Sequence, residues 1–214
     1  MGSFIIEGGH RLKGDLHPQG AKNEALQVLS AVLLTGETVR MENVPDILDV
    51  NKLIEIIGDM GVSVTKIDRS TYEFRADAVN PDYITGRNFI DKAAKLRGSV
   101  MLLGPLLARF GKGFIPKPGG DKIGRRRLDA HFLGFKDLGA TFEYDTDTES
   151  FSVTAKNLHG AYIHMDEISV TGTANVVMAA VLAKGKTVIY NAACEPYLQQ
   201  LCKMLNSMGA KISG

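Results

Sequence analysis

Three stretches of the chain repeat one local grammar, and this repetition limits the fold more than any single residue does. Each stretch runs through a helix of small and apolar residues, a glycine turn, a short strand, a second helix ending at glycine, and a further strand. The first reads KNEALQVLSAVLLTGETVRMENVPDILDVNKLIEIIGDMGVSV. The second reads KLRGSVMLLGPLLARFGKGFIPKPGGDKIGRRRLDAHFLGFKDLGATFEY, and the third TGTANVVMAAVLAKGKTVIYNAACEPYLQQLCKMLNSMGAKIS. Their turn glycines pair as Gly36 with Gly61, Gly111 with Gly139 and Gly185 with Gly209, 24 to 28 residues apart, with the insertion in the middle copy.

The first helix of each copy (Leu26 to Leu34, Val100 to Ala108, Val176 to Ala183) is apolar around much of its circumference, which marks a helix buried on most sides. The second helices, such as Leu48 to Met60, carry a narrower apolar stripe and end in Met-Gly or Leu-Gly, where a positive-φ glycine lets a strand follow. Tyr72 to Ala76 and Phe151 to Thr154 alternate as half-buried strands do. The expectation is an α/β fold with buried helices ringed by sheets. The third copy reaches Gly214 without its last outer strand, and residues 1–20 stand outside the repeat, so the chain is expected to stop before its architecture is complete.

With 214 residues, 44% hydrophobic and 23% charged, the chain buries an ordinary globular core. Its 25 Lys and Arg nearly cancel 24 Asp and Glu, which argues against a general nucleic-acid or membrane-surface binder. Any anion site must be local. No apolar run approaches the roughly 20 residues of a membrane span, and the start lacks the basic and apolar regions of a secretion signal. A cytoplasmic protein is expected. Cys194 and Cys202 fall eight positions apart on one predicted helix, too far to bridge, and read as reduced packing residues.

The loop PGGDKIGRRR, Pro118 to Arg127, sets one carboxylate, Asp121, among glycines and basic side chains. Gly119, Gly120 and Gly124 permit close ligand approach, and guanidinium geometry suits phosphate and carboxylate. Alone, the loop reads sooner as a surface turn with solvated arginines. Lys22 and Asn23 open the first helix, where free N–H groups favour an anion, and Arg97 opens the corresponding helix of the second copy. The repeat therefore puts Lys22 and Arg97 at equivalent helix ends, although solvated side chains explain each separately. Thr171 to Asn175, TGTAN, opens the third; capping accounts for it, or it adds neutral donors beside the charged ones. His131 reads as structural. No metal-ligand spacing and no Walker sequence occurs, so neither a metal site nor an ATP enzyme is expected.

Five motifs in this order, GAKN (Gly20 to Asn23), NVPDILDV (Asn43 to Val50), LRGSVMLLGPLLARFG (Leu96 to Gly111), PGGDKIGRRRLDAH (Pro118 to His131) and the terminal GAKISG, strongly resemble the UDP-N-acetylglucosamine 1-carboxyvinyltransferase family over essentially the whole chain. The resemblance implies an inside-out α/β barrel of three repeated units, helices inside and sheets outside, as one of the family's two domains. Residues 1–20 would belong to the second domain, and 21–214 would form the N-terminal domain, short of its last strand. The implied reaction transfers the enolpyruvyl group of phosphoenolpyruvate to the 3'-hydroxyl of UDP-N-acetylglucosamine by addition and elimination, releasing phosphate, as the first committed step of peptidoglycan synthesis. It needs no cofactor and no metal. The partners are the two small molecules and the absent C-terminal domain, with no nucleic acid and no membrane. This half alone is expected to be inactive.

Motif by motif, the resemblance assigns Lys22, Asn23 and Arg126 to phosphoenolpyruvate. It assigns Arg97, Arg126, Arg127, Leu128, Asp129, Ala130, Ser169 and Val170 to the UDP-sugar, and Asp121 with Lys22 to catalysis. Asp121 stands where most members have the cysteine that fosfomycin alkylates, so indifference to that epoxide is expected. Arg127 stands where many have proline, and Glu167 where many have lysine. An aspartate, with a reference pKa near 3.9, is a poor proton donor in a basic loop; bound phosphate and carboxylate, with water expelled, would raise it into a useful range. The rival readings are the sister transferase acting on shikimate 3-phosphate, whose opening typically reads Ser-Lys-Ser rather than GAKN, and a non-catalytic UDP-sugar-binding module.

Overall fold

The computed structural model describes residues 3–119 and 127–214. The expectations for Gly120, Asp121, Gly124, Arg125 and Arg126 lie outside the described residues.

Copy one contains α1 (Lys22–Ala31), β1 (Thr38–Met41), α2 (Leu48–Asp59), β2 (Ser63–Lys66) and β3 (Tyr72–Arg75). A short helix, α3 (Arg87–Ala93), leads into copy two, which holds α4 (Leu103–Phe110), β4 (Lys112–Pro116), α5 (Asp129–Asp137), β5 (Thr141–Asp145) and β6 (Ser150–Thr154). Copy three follows β7 (Tyr162–His164) with α6 (Val170–Ala180), β8 (Val188–Tyr190) and α7 (Pro196–Ser207).

The first two copies build the same sheet. β3 runs antiparallel between β1 and β2, and β6 between β4 and β5. Alternation points Tyr72 and Phe74 of β3 inward, and the two rings stack at 5.9 Å. Phe74 is completely buried, which contributes about 2 to 3 kcal/mol. The third copy departs from this plan, because β7 pairs parallel to β8 in a two-stranded sheet.

The interior belongs to α1, α4 and α6. Every residue of α6 from Gly172 to Ala179 is buried, so this stretch has no solvated face. Two glycines let its neighbours approach that closely. A Cβ on Gly104 of α4 would meet the Asn175 carbonyl oxygen at 2.4 Å, and one on Gly134 of α5 would meet Val176 Cγ2 at 2.3 Å. Positive φ occurs at Gly61, Gly111, Gly139, Gly185 and Gly209, as the repeat predicts, but not at Gly36.

Two local expectations need correction. The buried helices do not coincide with their apolar runs: α1 gives way to a 3-10 turn, Val32–Leu34, and α4 is preceded by one, Arg97–Leu102, while α6 stops at Ala180. Apolarity reports burial, whereas the tighter 3-10 geometry buries the same side chains. Cys194 is not on the helix with Cys202, because Pro196 fits the first helical turn and starts α7 two residues later. Residues 3–19 carry no regular structure and lie exposed, with Phe4, Ile5 and Leu12 each more than nine-tenths accessible.

Candidate active site

The openings of the three interior segments converge on one cavity of about 550 Å³. Lys22 and Asn23 enter it from the start of α1, Arg97 from the 3-10 turn before α4, and Val170 with Thr171 from the start of α6. The repeat explains the convergence, since equivalent segment starts point to one end of the interior.

Among the described residues no side chain caps α1, whose N-cap position is Ala21, so its first-turn N–H groups have no described side-chain acceptor. At α6 the Ser169 hydroxyl instead accepts from Gly172 N–H at 3.2 Å. That cap accounts for the serine in the resemblance-based site.

The described lining holds four cations, Lys22, Lys52, Lys95 and Arg97, against one carboxylate, Asp49. Lys22 meets Asp49 at 3.2 Å, and both side chains are substantially exposed, so the pair is worth no more than about 1 kcal/mol. Four cations facing one carboxylate leave a positive excess that a multiply charged anion would neutralise. Gln27, one turn beyond Asn23, is buried in the same wall with Oε1 unpartnered among the described residues. An orphaned buried acceptor costs about 1 to 3 kcal/mol, which marks the wall as incomplete without a hydrogen-bond donor.

Sequence reasoning found Lys22, Asn23, Arg97 and, in the TGTAN opening, Thr171, the resemblance added Val170, and both missed Asp49, Lys52, Lys95 and Gln27. Asp49 and Lys52 were legible only as a pair three apart on one helical face. Of the second predicted group, Arg127, Leu128, Asp129 and Ala130 are not among the described residues that line the cavity. At the start of α5, Arg127 pairs with Asp129 at 2.8 Å on the surface, while the side chains of Leu128 and Ala130 are buried and leave only their backbone for a ligand. The Asp129 carboxylate beside it holds the Arg127 guanidinium above its ordinary range.

Behind the cavity wall, α5 and α6 share a polar network. Asn175 Oδ1 accepts from Gly104 N–H at 2.8 Å, and Asn175 Nδ2 donates to the Val100 carbonyl at 2.8 Å. The same Nδ2 lies 2.8 Å from His131 Nδ1, and His131 Nε2 lies 3.1 Å from Thr171 Oγ1. Burial, with the Arg97 charge second, pushes His131 down to about 3, so the imidazole is neutral.

A further cluster braces the cavity from outside. The Asp59 carboxylate at the end of α2 accepts from Tyr83 Oη at 2.9 Å, from Asn88 Nδ2 at 3.3 Å and from Lys92. Lys92 also meets Glu55 at 2.6 Å, and these hydrogen bonds hold its ammonium above the usual range and the Asp59 carboxylate below. The cluster ties α2, which carries Asp49 and Lys52, to α3, which leads to Lys95 and Arg97.

A sequence-family model described as EPSP synthase (3-phosphoshikimate 1-carboxyvinyltransferase) matches residues 6–214. The chain belongs to that family. Among curated relatives, this EPSP synthase-family chain is 64% identical over all 214 residues to a UDP-N-acetylglucosamine 1-carboxyvinyltransferase of Bacteroides fragilis, covering 49% of that protein. It is 60% identical to the protein of the same name from Porphyromonas gingivalis, again covering the whole chain and 49% of the relative. The chain spans about half the length of the curated relatives it matches.

Solved structures agree on the fold. The enolpyruvyl transferase NikO of Streptomyces tendae superposes with a TM-score of 0.81 at 21% identity, covering 97% of this chain and 47% of that one. An EPSP synthase of Acinetobacter baumannii gives 0.70 at 15% identity, covering 94% and 45%. The inside-out α/β arrangement read from the repeat is thus the enolpyruvyl transferase fold. No helix among the described residues is long and apolar enough to cross a membrane, and no cluster of three metal-ligating side chains occurs among them.

Proposed function

We propose that residues 21–214 are the N-terminal domain of a cytoplasmic UDP-N-acetylglucosamine 1-carboxyvinyltransferase, and that residues 1–20 pack into its second domain. The observation that carries this reading is the 60 to 64% identity, across the whole chain, to relatives of that name. The cationic cavity at the three segment starts supports it, because both substrates are multiply anionic. Exposed Phe4, Ile5, Ile6, Leu12 and Leu16 support a covering partner for the first segment.

In this reading Lys22 and Arg126 hold the anionic groups of phosphoenolpyruvate beside Asn23. Arg97, Ser169, Val170 and the segment Arg126 to Ala130 hold the UDP-sugar, Leu128 and Ala130 through backbone atoms. Asp121 gives its proton to C3 of phosphoenolpyruvate as the sugar 3'-oxygen bonds to C2, and the hydroxyl proton passes to a base of the second domain. Loss of a C3 proton and cleavage of the C2–O bond to phosphate then restore the double bond. Asp121 acts as acid only when substrate anions and expelled water raise its affinity for a proton.

The test is phosphate release by the complete enzyme. Asp121→Asn should reduce kcat by at least about a hundredfold, and Asp121→Cys should retain turnover. Near-normal kcat in Asp121→Asn sinks the acid role. Turnover with shikimate 3-phosphate but not UDP-N-acetylglucosamine reassigns the acceptor, and binding of the UDP-sugar without phosphate release reduces the protein to a binding module.

A further inference from the structure

The polar network behind the cavity has one end that leaves the protein interior. Its polarity can be followed bond by bond from the buried end. Gly104 N–H is a backbone donor, so the Asn175 atom beside it must be the oxygen. The other amide atom is therefore nitrogen, and it faces the Val100 carbonyl, which confirms the orientation. That nitrogen also points a proton at His131 Nδ1, which must then accept. A neutral imidazole that accepts at Nδ1 carries its proton on Nε2. Nε2–H consequently donates to Thr171 Oγ1, and the threonine's own proton is left to point elsewhere. The opposite assignment would face an Nδ1 proton against the Asn175 amide protons at 2.8 Å.

Thr171 is exposed and lines the cavity, one helical turn before Asn175 on the same face of α6. Among the described residues its hydroxyl has no partner other than His131. We infer that Thr171 is a ligand-binding residue whose hydroxyl is committed as a donor into the cavity, toward a phosphate oxygen, with His131 and Asn175 as its positioning residues. The orphaned Gln27 acceptor in the same wall is independent evidence that the cavity is completed by a ligand. An ordinary threonine hydroxyl rotates among three positions; with one lone pair held by His131 the proton is excluded from that direction, and a phosphate oxygen, which only accepts, is met by it. The inference rests on the transferase reading, in which the phosphate comes either from phosphoenolpyruvate or from the nucleotide sugar.

The test uses the complete enzyme with Thr171→Val, which keeps the shape and removes the hydroxyl, and Thr171→Ser, which restores it. Each is titrated separately with UDP-N-acetylglucosamine and phosphoenolpyruvate, while nitrogen-15 NMR reads the His131 tautomer. The expected result is an Nε2–H tautomer, about tenfold weaker binding of one ligand in the valine variant, and recovery in the serine variant to within about twofold of wild type. The affected ligand identifies which phosphate is met. An Nδ1–H tautomer overturns the inference, as does a valine variant that binds both ligands like wild type, or an equal loss for both that serine does not restore. Failure of the wild-type enzyme to bind either ligand overturns the transferase reading instead, and this inference with it.

Discussion

The two sides of the α6 start differ in how their polar groups are satisfied. On the α4 and α5 side, Asn175, His131, Gly104 N–H and the Val100 carbonyl form a network in which the Asn175 amide and both His131 ring nitrogens have protein partners. On the cavity side, the described lining carries four cations and one carboxylate, and a buried glutamine oxygen has no partner among the described residues. The first arrangement specifies one packing of the helices. The second calls for a ligand that brings negative charge to the cations and a hydrogen-bond donor to Gln27. The same helix end thus serves as a rigid reference on one side and as a receptor on the other, which is how a site keeps its geometry while staying open.

The comparison breaks most completely at Asn175. Asn175→Leu leaves a buried N–H, a carbonyl and an imidazole nitrogen unpaired, and about 4 kcal/mol of folding stability should be lost. Urea denaturation measures it, and a loss below about 1 kcal/mol would show that the network contributes no specificity.

His131 gives a smaller, pH-dependent effect. Its folded pKa lies near 3, below the unfolded value of about 6.5. The unfolded chain therefore binds the extra proton between these values, so the stability is fully present above about pH 6.5 and falls as pH drops toward 3, by up to about 1.4 kcal/mol per unit. Denaturation at several pH values between about 4.5 and 6.5, where most unfolded carboxylates are already ionised, should show this slope in wild type and its loss in His131→Gln. Equal slopes would mean that the imidazole is not kept neutral.

On the cavity side the smallest effect is expected. Lys95 is exposed, so Lys95→Met should weaken binding of a multiply charged anion by only about threefold and reduce its salt dependence, with no change in folding stability. Titrations at two salt concentrations distinguish this from a tenfold, salt-insensitive loss, which would make Lys95 a direct ligand.

Much of this contrast was legible in the sequence, for a physical reason. Burial leaves a strong imprint on composition, so the apolar helix runs and the glycine turns located the interior helices and four of the cavity residues. The loop PGGDKIGRRR gave the chemistry only through resemblance, because glycines and arginines have the same composition in a solvated turn. Lys52 and Lys95 were invisible because a lysine reveals nothing about its direction until the backbone is placed. The role of Thr171 required knowing which nitrogen of His131 bears a proton, and that follows only from three partners separated by dozens of residues. The parallel β7–β8 pair was missed because the copy it completes draws one strand from before its own helix.

One contact between copies bears on synthesis rather than on the folded state. Arg109, in the last turn of α4, donates to the carbonyls of Leu33 and Thr35 at 3.0 and 2.9 Å. A ribosome adding roughly 5 to 20 residues per second needs roughly 4 to 15 seconds to travel from those carbonyls to this arginine. During that interval copy one is a nascent segment whose buried helix ends without its acceptors engaged. The first third of the chain must wait for the second, and agents that hold nascent chains can act in that interval.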